Sequence, residues 1–227
     1  RTVTFRFSSD KKLRDAICDF AGDSWRANAW AEQRYRQLRT DGKSLSSVAD
    51  DQLGGYLATR HLLDLGHRRI GLISGRPLPT PFRPEENRFL GYRDTLVEAG
   101  LALDSDLEAC GHFTTEGGER AMTTLLARPN PPTAVFAMSD EMAFGALRSL
   151  RAHGLEPGRD VSVVGFDGHE MAEHLDLTTV VQPVEEIGAR AAEALLAALD
   201  NPGAEPQHVV LPLDMVVRGS TALRRAR

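Results

Sequence analysis

Cysteine is scarce in this sequence: Cys18 and Cys110 are the only two, far apart and in no metal-like spacing. A disulfide framework is thereby excluded, and a reducing cytoplasm is the expected setting. Long apolar runs are missing as well. None approaches the roughly 20 residues that a membrane helix needs, so no membrane partner is expected. Arg1–Asp10 shows no apolar stretch followed by a small-residue cleavage site, so no secretory signal is read there. Basic charge is short over most of the chain. Residues 46–227 hold seventeen Lys/Arg against twenty-six Asp/Glu, and such an acidic body is a poor phosphate binder. Residues 1–45 reverse the balance, ten against six, but the acids interrupt any basic patch, and a solvated charged helix is the reading.

What is present is an ordinary globular composition, 41% hydrophobic and 26% charged over 227 residues, enough for one large or two small packed units. From Asp50 onward, helical and strand patterns alternate. Leu53, Leu57, Leu62 and Leu63 recur at roughly helical spacing, and Gly66 follows as a stop. Arg69–Ser74 is a short buried strand, followed by a proline-rich loop and a helix from Glu85 to Glu98. Leu107–Phe113 is a weaker strand, and Thr115 is read as the cap of another helix. Thr133–Met138, Asp160–Gly165 and Thr178–Val181 are further strands. A helix capped at Ser139 or Asp140 and an Ala/Leu-rich one over Val184–Leu199 separate or follow them, and Val209–Val217 closes the chain as a strand. Strands alternating with helices of ten to fifteen residues imply an α/β fold, parallel sheets flanked by helices. Residues 1–47 do not join the pattern: Val3–Phe7 reads as one strand, and Leu13 to Leu38, with Trp25 and Trp30, as a helix of poor periodicity.

Enzyme motifs were tested and fail. His169 and His174 are five apart, about 140° around a helix, whereas a zinc-protease pair needs a spacing of four. Ser74 in Gly71–Gly75 sits one place too late for a nucleophile elbow. No Walker loop or G-x-G-x-x-G occurs, and the adjacent pairs Glu85-Glu86 and Glu185-Glu186 point in different directions on a helix. No catalytic residue, cofactor or metal is called for. One constellation survives. In doubly wound sheets ligands bind beyond the carboxyl ends of the strands. Those ends offer Ser74 and Arg76, Phe113, Ser139 and Asp140, then Phe166 and Asp167, with Arg88 on the first turn of a neighbouring helix. A charged donor, a charged acceptor, hydroxyls and aromatic faces suit a polyhydroxylated ligand.

Six stretches in order carry a likeness: Leu65–Gly71, Arg88–Tyr92, Pro132–Asp140 with Ala143 and Gly145, Asp160–Asp167, Leu177–Val180 and Val217–Thr221. They resemble the lactose/galactose-repressor (LacI/GalR) family of bacterial transcription regulators, over about Val48 to Thr221. The resemblance implies a periplasmic-binding-protein-like fold of two α/β lobes around a cleft that senses a small, sugar-like effector. It implies that Arg88 and Asp167 grip the effector and that Phe113 packs on it. Ser139 stands where the family usually has an effector-contacting Asn, and Ser74 adds a hydroxyl at a strand end. Gly168 and Asp176 also depart from the family's usual residues. Operator DNA would be reached only through an N-terminal reader, not visible in this sequence, in a homodimer. The domain expectation is as follows. Residues 1–47 are unassigned and without family match. Residues 48–74 and 182–200 are the remnant of an incomplete N-terminal lobe, and 75–181 and 201–227 form the C-terminal effector lobe. A transporter's periplasmic sugar receptor is the alternative, since it shares the fold.

Overall fold

The computed structural model describes residues 3–5, 45–75, 84–200 and 208–224. In chain order these form β1 (Val3–Phe5), β2 (Leu45–Ala49), α1 (Asp51–Asp64), β3 (Ile70–Ser74), α2 (Pro84–Glu98), β4 (Glu108–Cys110), α3 (Thr115–Leu126), β5 (Ala134–Ala137), α4 (Asp140–Ala152), β6 (Ser162–Asp167), α5 (Met171–His174), β7 (Thr178–Val181), α6 (Val184–Asp200), β8 (His208–Leu211) and β9 (Asp214–Val216). The expected helix over Leu13–Leu38, both tryptophans and the loop through Arg76 lie outside the described residues.

Helix limits follow local chemistry. Asp50 Oδ1 accepts from the Leu53 amide at 2.9 Å, Thr114 Oγ1 from Gly117 at 3.0 Å and Ser139 Oγ from Met142 at 3.3 Å. Each side-chain oxygen satisfies one of the unpaired amides of a first turn. Gly66 and Gly154 end α1 and α4 with φ of +86° and +71°. The amide after each reaches back into the helix, His67 to the Leu62 carbonyl at 3.1 Å and Leu155 to Leu150 at 2.9 Å, an ending that needs the left-handed backbone glycine adopts without penalty.

The elements form two compact units, with the chain crossing between them after Ala49, Gln182 and Pro212. The smaller unit contains β1, β2, α6 and β8. Its three-stranded sheet runs β1-β2-β8, β1 antiparallel to β2 and β8 parallel to it. The larger unit contains a six-stranded sheet in the order β4-β3-β5-β6-β7-β9, parallel throughout except for β9. Its central strands are apolar on both faces: Ile70, Leu72, Ile73, Val135, Phe136, Val163 and Val164 are all buried, as a parallel sheet covered by helices on each side requires. Helices α1 and α2 touch backbone to backbone. A Cβ at Gly55 would collide with the Arg88 carbonyl, and one at Gly91 with that of Gln52. This crossing brings the starts of the two helices, Asp51 and Arg88, together.

The structure corrects four sequence expectations. The Asp51–Ser74 unit is no remnant of the N-terminal lobe: β3 is hydrogen-bonded between β4 and β5 in the larger sheet. Helical and strand periodicity identifies such a unit but does not say which sheet receives it. The strand over Leu107–Phe113 shrinks to Glu108–Cys110, because His112 and Phe113 take positive φ, +54° and +56°, and leave the sheet. The closing strand over Val209–Val217 is two strands. Pro212 lacks the amide a ladder needs, so β8 joins the smaller sheet and β9 runs antiparallel on the edge of the larger. For the same reason 201–227 does not belong to one lobe, since His208–Leu211 falls in the smaller unit.

Candidate functional site

Five parallel strands, β3 through β7, point one way, so their carboxyl ends share one edge. The order reverses around β3, with β4 on one side and β5 on the other, and the crevice between β3 and β5 is the switch point of a doubly wound sheet. Ser74 ends β3, and Ser139 follows β5 after Met138. Phe113 follows β4, Asp167 ends β6 and Gln182 follows β7. Four of the five candidate residues therefore stand on the carboxyl edge, and the fifth, Arg88, enters from α2.

Arg88 is the centre of the arrangement. It is 5% exposed. Its Nε donates to Asp51 Oδ1 at 2.8 Å and its Nη1 to the Met138 carbonyl at 2.5 Å, while Asp167 Oδ1 lies 3.8 Å from Nη1. The guanidinium carbon sits 3.6 Å above the Phe166 ring, a cation–π stack that fixes the plane of the fork. Its Nη2 donates to no group among the described residues. One cation thus spans two carboxylates unequally: Asp51, tightly bonded and buried, and Asp167, farther away and with 40% of its side chain exposed.

Asp167 is held in an unusual conformation. Its φ is +122°, a region L-residues rarely occupy, and such strain gathers at binding and catalytic sites. Gln182 Nε2 donates to its Oδ1 at 2.5 Å, and the Gln182 amide to its carbonyl at 3.2 Å. Burial pushes the Asp167 carboxyl above the ordinary carboxylate range; the Arg88 charge and the Gln182 hydrogen bond oppose that rise. Beside it, Asp140 is 1% exposed. Its Oδ1 accepts from Thr179 Oγ1 at 2.6 Å and its Oδ2 from the His169 amide at 2.7 Å. Burial raises this carboxyl too, against the pull of those donors.

The structure thus joins Arg88 and Asp167, and Ser139 adjoins the Met138 carbonyl that Arg88 grips. The Ser139 hydroxyl is engaged as the cap of α4. Phe113 lies over the backbone of Gly75, where a Cβ would strike its ring, so Phe113 and Ser74 form the β3–β4 side of the edge. Among the described residues neither is a hydrogen-bond or cation–π partner of the Arg88–Asp167 pair. His169 Nδ1 accepts from the Met171 amide at 3.0 Å, and its ring meets Phe144 edge-on.

A family model described as a periplasmic binding protein-like domain matches residues 59–221. Over 95% of the chain, the sequence is 40% identical to the ribose operon repressor of Haemophilus influenzae, covering 60% of that protein. The chain belongs to the LacI family. This LacI-family chain is also 39% identical to the repressor CytR of Escherichia coli strain K12 over 76% of its own length and 50% of CytR's. Among solved structures it is similar to a transcriptional regulator CelR–cellobiose complex, with 40% identity, a TM-score of 0.71, and coverage of 76% of this chain and 53% of that one. A LacI-family regulator from Enterococcus faecium with bound ribose gives 34%, 0.71, 78% and 66%. The chain spans roughly half to three fifths of the length of these curated relatives. An alignment over 95% of it reaches well into residues 1–47, where no family match was read from the sequence.

Sequence reasoning missed Asp51 and Gln182, and left Asp140 as a helix cap. Asp51 carries no local signal, and its place beside Arg88 comes from the α1–α2 crossing. Gln182 follows a strand end as Asp167 does, so the same rule of carboxyl ends would have found it.

Proposed function

We propose that the carboxyl edge of the six-stranded sheet holds a neutral, polyhydroxylated small molecule, sugar-like in its chemistry, and that the chain is the effector-sensing part of a transcription regulator. The observation that carries this reading is the uneven Arg88 bridge. Asp51 satisfies most of the cation's charge, which leaves Asp167 with acceptor capacity for ligand hydroxyls and Arg88 Nη2 with donors. Phe113 over Gly75 adds an apolar face of the kind a sugar ring stacks on, whereas Phe166 is fully buried under the guanidinium and serves to hold Arg88 in place. A site whose strongest cation is already paired suits a neutral ligand better than a phosphorylated one. Ser74 and Ser139 supply further hydroxyls at the switch point.

Regulation rather than transport is supported by the relatives, which are named as regulators and repressors of transcription. In this reading the chain is no enzyme. It acts in the cytoplasm as a homodimer and reaches operator DNA through an N-terminal reader. Among the described residues no helix is long and apolar enough to cross a membrane. The test is calorimetry of the full chain against ribose, cellobiose, nucleosides and their phosphorylated forms. Binding of a neutral member, weakened about ten- to a hundredfold by Asp167→Ala, is the expected result, because hydrogen bonds to a charged acceptor are worth roughly 1.5–3 kcal/mol. Affinity untouched by that substitution overturns the assignment.

A further inference from the structure

Asp140 lies in the larger unit beside Asp167 and is almost fully buried. It is the first residue of α4, where an acid is favoured by the helix dipole, but its two oxygens are spent elsewhere. Oδ1 takes the hydroxyl of Thr179 in the middle of β7, and Oδ2 takes the amide of His169 in the connection from β6 to α5. Gly165 of β6 makes room for it, since a Cβ there would collide with Oδ1. The carboxylate therefore touches three consecutive pieces of chain: β6 two residues before Asp167, the loop two residues after it, and the neighbouring strand that carries Gln182. Between those attachments sit Asp167 and Gly168, both with positive φ, +122° and +74°. A backbone kept in a sparsely populated region must be over-determined by its surroundings, and Asp140 supplies that constraint.

We infer that Asp140 is a positioning residue for effector binding: its buried carboxylate ties the β6–α5 connection to β7 and so holds Asp167 in its strained, ligand-facing conformation. The inference rests on the reading that Asp167 anchors the effector, and its test separates the two. Ligand-free full chain is compared with Asp140→Asn by amide NMR and hydrogen exchange. The Asn side chain can still accept from Thr179 but turns an NH2 group toward the His169 amide. The expected result is loss of protection at His169 and shifted resonances at Asp167 and Gly168, with the Val163 amide in the core of β6 unchanged. Thr179→Val, which removes the other attachment, should give a milder change at the same residues and serves where Asp140→Asn fails to fold. Unchanged His169 and Asp167 signals in a folded variant overturn the positioning role, whatever the ligand. The second arm is a cycle on ribose and cellobiose affinity. Asp140→Asn alone should weaken binding about tenfold, and should add little in an Asp167→Ala background, because it acts through that residue. Full additivity would assign Asp140 a separate, merely structural effect and overturn the inference. A wild-type chain that binds neither sugar counts against the proposed effector class and leaves the NMR arm to decide Asp140.

Discussion

The two ends of the six-stranded sheet each carry a buried polar cluster, and the clusters differ in kind. At the amino ends, His67, 3% exposed, shares Nδ1 with Thr133 Oγ1 at 3.0 Å and Nε2 with Ser162 Oγ at 3.1 Å and the Ala222 carbonyl at 3.2 Å. A neutral ring with its proton on Nε2 satisfies that set. Ser220 Oγ donates to the Val163 carbonyl at 2.6 Å and accepts from the Thr178 amide at 2.8 Å, while Thr221 meets His61 Nε2 at 2.9 Å. Every one of these groups is neutral, and together they clip the last described residues onto the sheet. At the carboxyl ends the cluster is charged: among the described residues one cation lies among three carboxylates, with a strained backbone and one half-exposed acid. The first network is closed on the chain itself. Among the described residues the second leaves Arg88 Nη2 without an acceptor and Asp167 part-exposed, which is what a ligand requires.

The largest test of this contrast is Arg88→Met. It removes the cation that Asp51 and the Met138 carbonyl depend on and leaves carboxylates facing one another without it. Breaking a buried pair from one side costs about 3–5 kcal/mol, so urea denaturation should show a loss of that size together with loss of effector binding. A change below about 1 kcal/mol would mean that the pair behaves like a solvated surface bridge.

At the opposite end, His67→Leu takes the ring's hydrogen bonds from the Ala222 carbonyl and the Thr133 and Ser162 hydroxyls, leaving them only the longer bonds of Thr133 to the Arg69 carbonyl at 3.3 Å and of Ser162 to Ala222 at 3.4 Å, beside the Ala222 amide bond to Ser162. Orphaned buried groups cost about 1–3 kcal/mol, and a loss of about 2–3 kcal/mol is expected. Affinity for any ligand of the carboxyl edge should remain within about twofold of wild type, since well-separated sites act independently. A tenfold fall in affinity would erase the distinction between the two ends.

Asp167→Gly sharpens it further. Glycine accepts a φ of +122° without strain. The strain of a non-glycine residue there is worth about 1–3 kcal/mol, and the extra unfolded-state freedom of glycine takes back up to about 1 kcal/mol. The variant should therefore be as stable as wild type or more so, by up to about 2 kcal/mol, while ligand binding falls at least about tenfold. Stability gained as function is lost is the signature of strain kept for binding.

Much of this was legible in the sequence because the signals are local. The capping oxygen at Ser139, stop glycines at Gly66 and Gly154, and apolar runs at β3, β5 and β6 define the larger unit without reference to anything distant, while the cap expected at Thr115 falls one residue earlier, at Thr114. The rule that ligands lie beyond strand carboxyl ends gave Ser74, Phe113, Ser139 and Asp167 as neighbours along one edge. Long-range decisions were not legible. Whether Ile70–Ser74 enters one sheet or the other depends on hydrogen-bonding partners sixty residues away in Ala134–Ala137. Asp51 becomes a partner of Arg88 only because Gly55 and Gly91 let two helices touch. The positive φ of Asp167 has no sequence mark, since aspartate rarely adopts it.

The smallest effect concerns pH and again sets one end of the sheet against the other. An unfolded histidine titrates near 6.5. Burial holds His67 below that value; Arg224 and His61 push the same way, and the Ala222 carbonyl opposes them. The folded chain refuses a proton that the unfolded chain accepts, so this contribution is complete above about pH 6.5 and is lost as pH falls through the lowered folded value. Asp167 works in the opposite sense. Its carboxyl is raised in the fold, so ionisation costs stability at neutral pH, and the cost is relieved as pH falls through the raised value toward the ordinary range near 3.9. Wild-type stability should therefore decline as pH drops below about 6.5, by at most about 1.4 kcal/mol per pH unit for each histidine involved. In His67→Leu the decline should be shallower but still present, because burial lowers His61 as well. Urea midpoints measured at several pH values between about 5 and 7.5 bracket this window. A variant whose midpoints fall in parallel with wild type would show that the amino-end cluster takes no part in the titration.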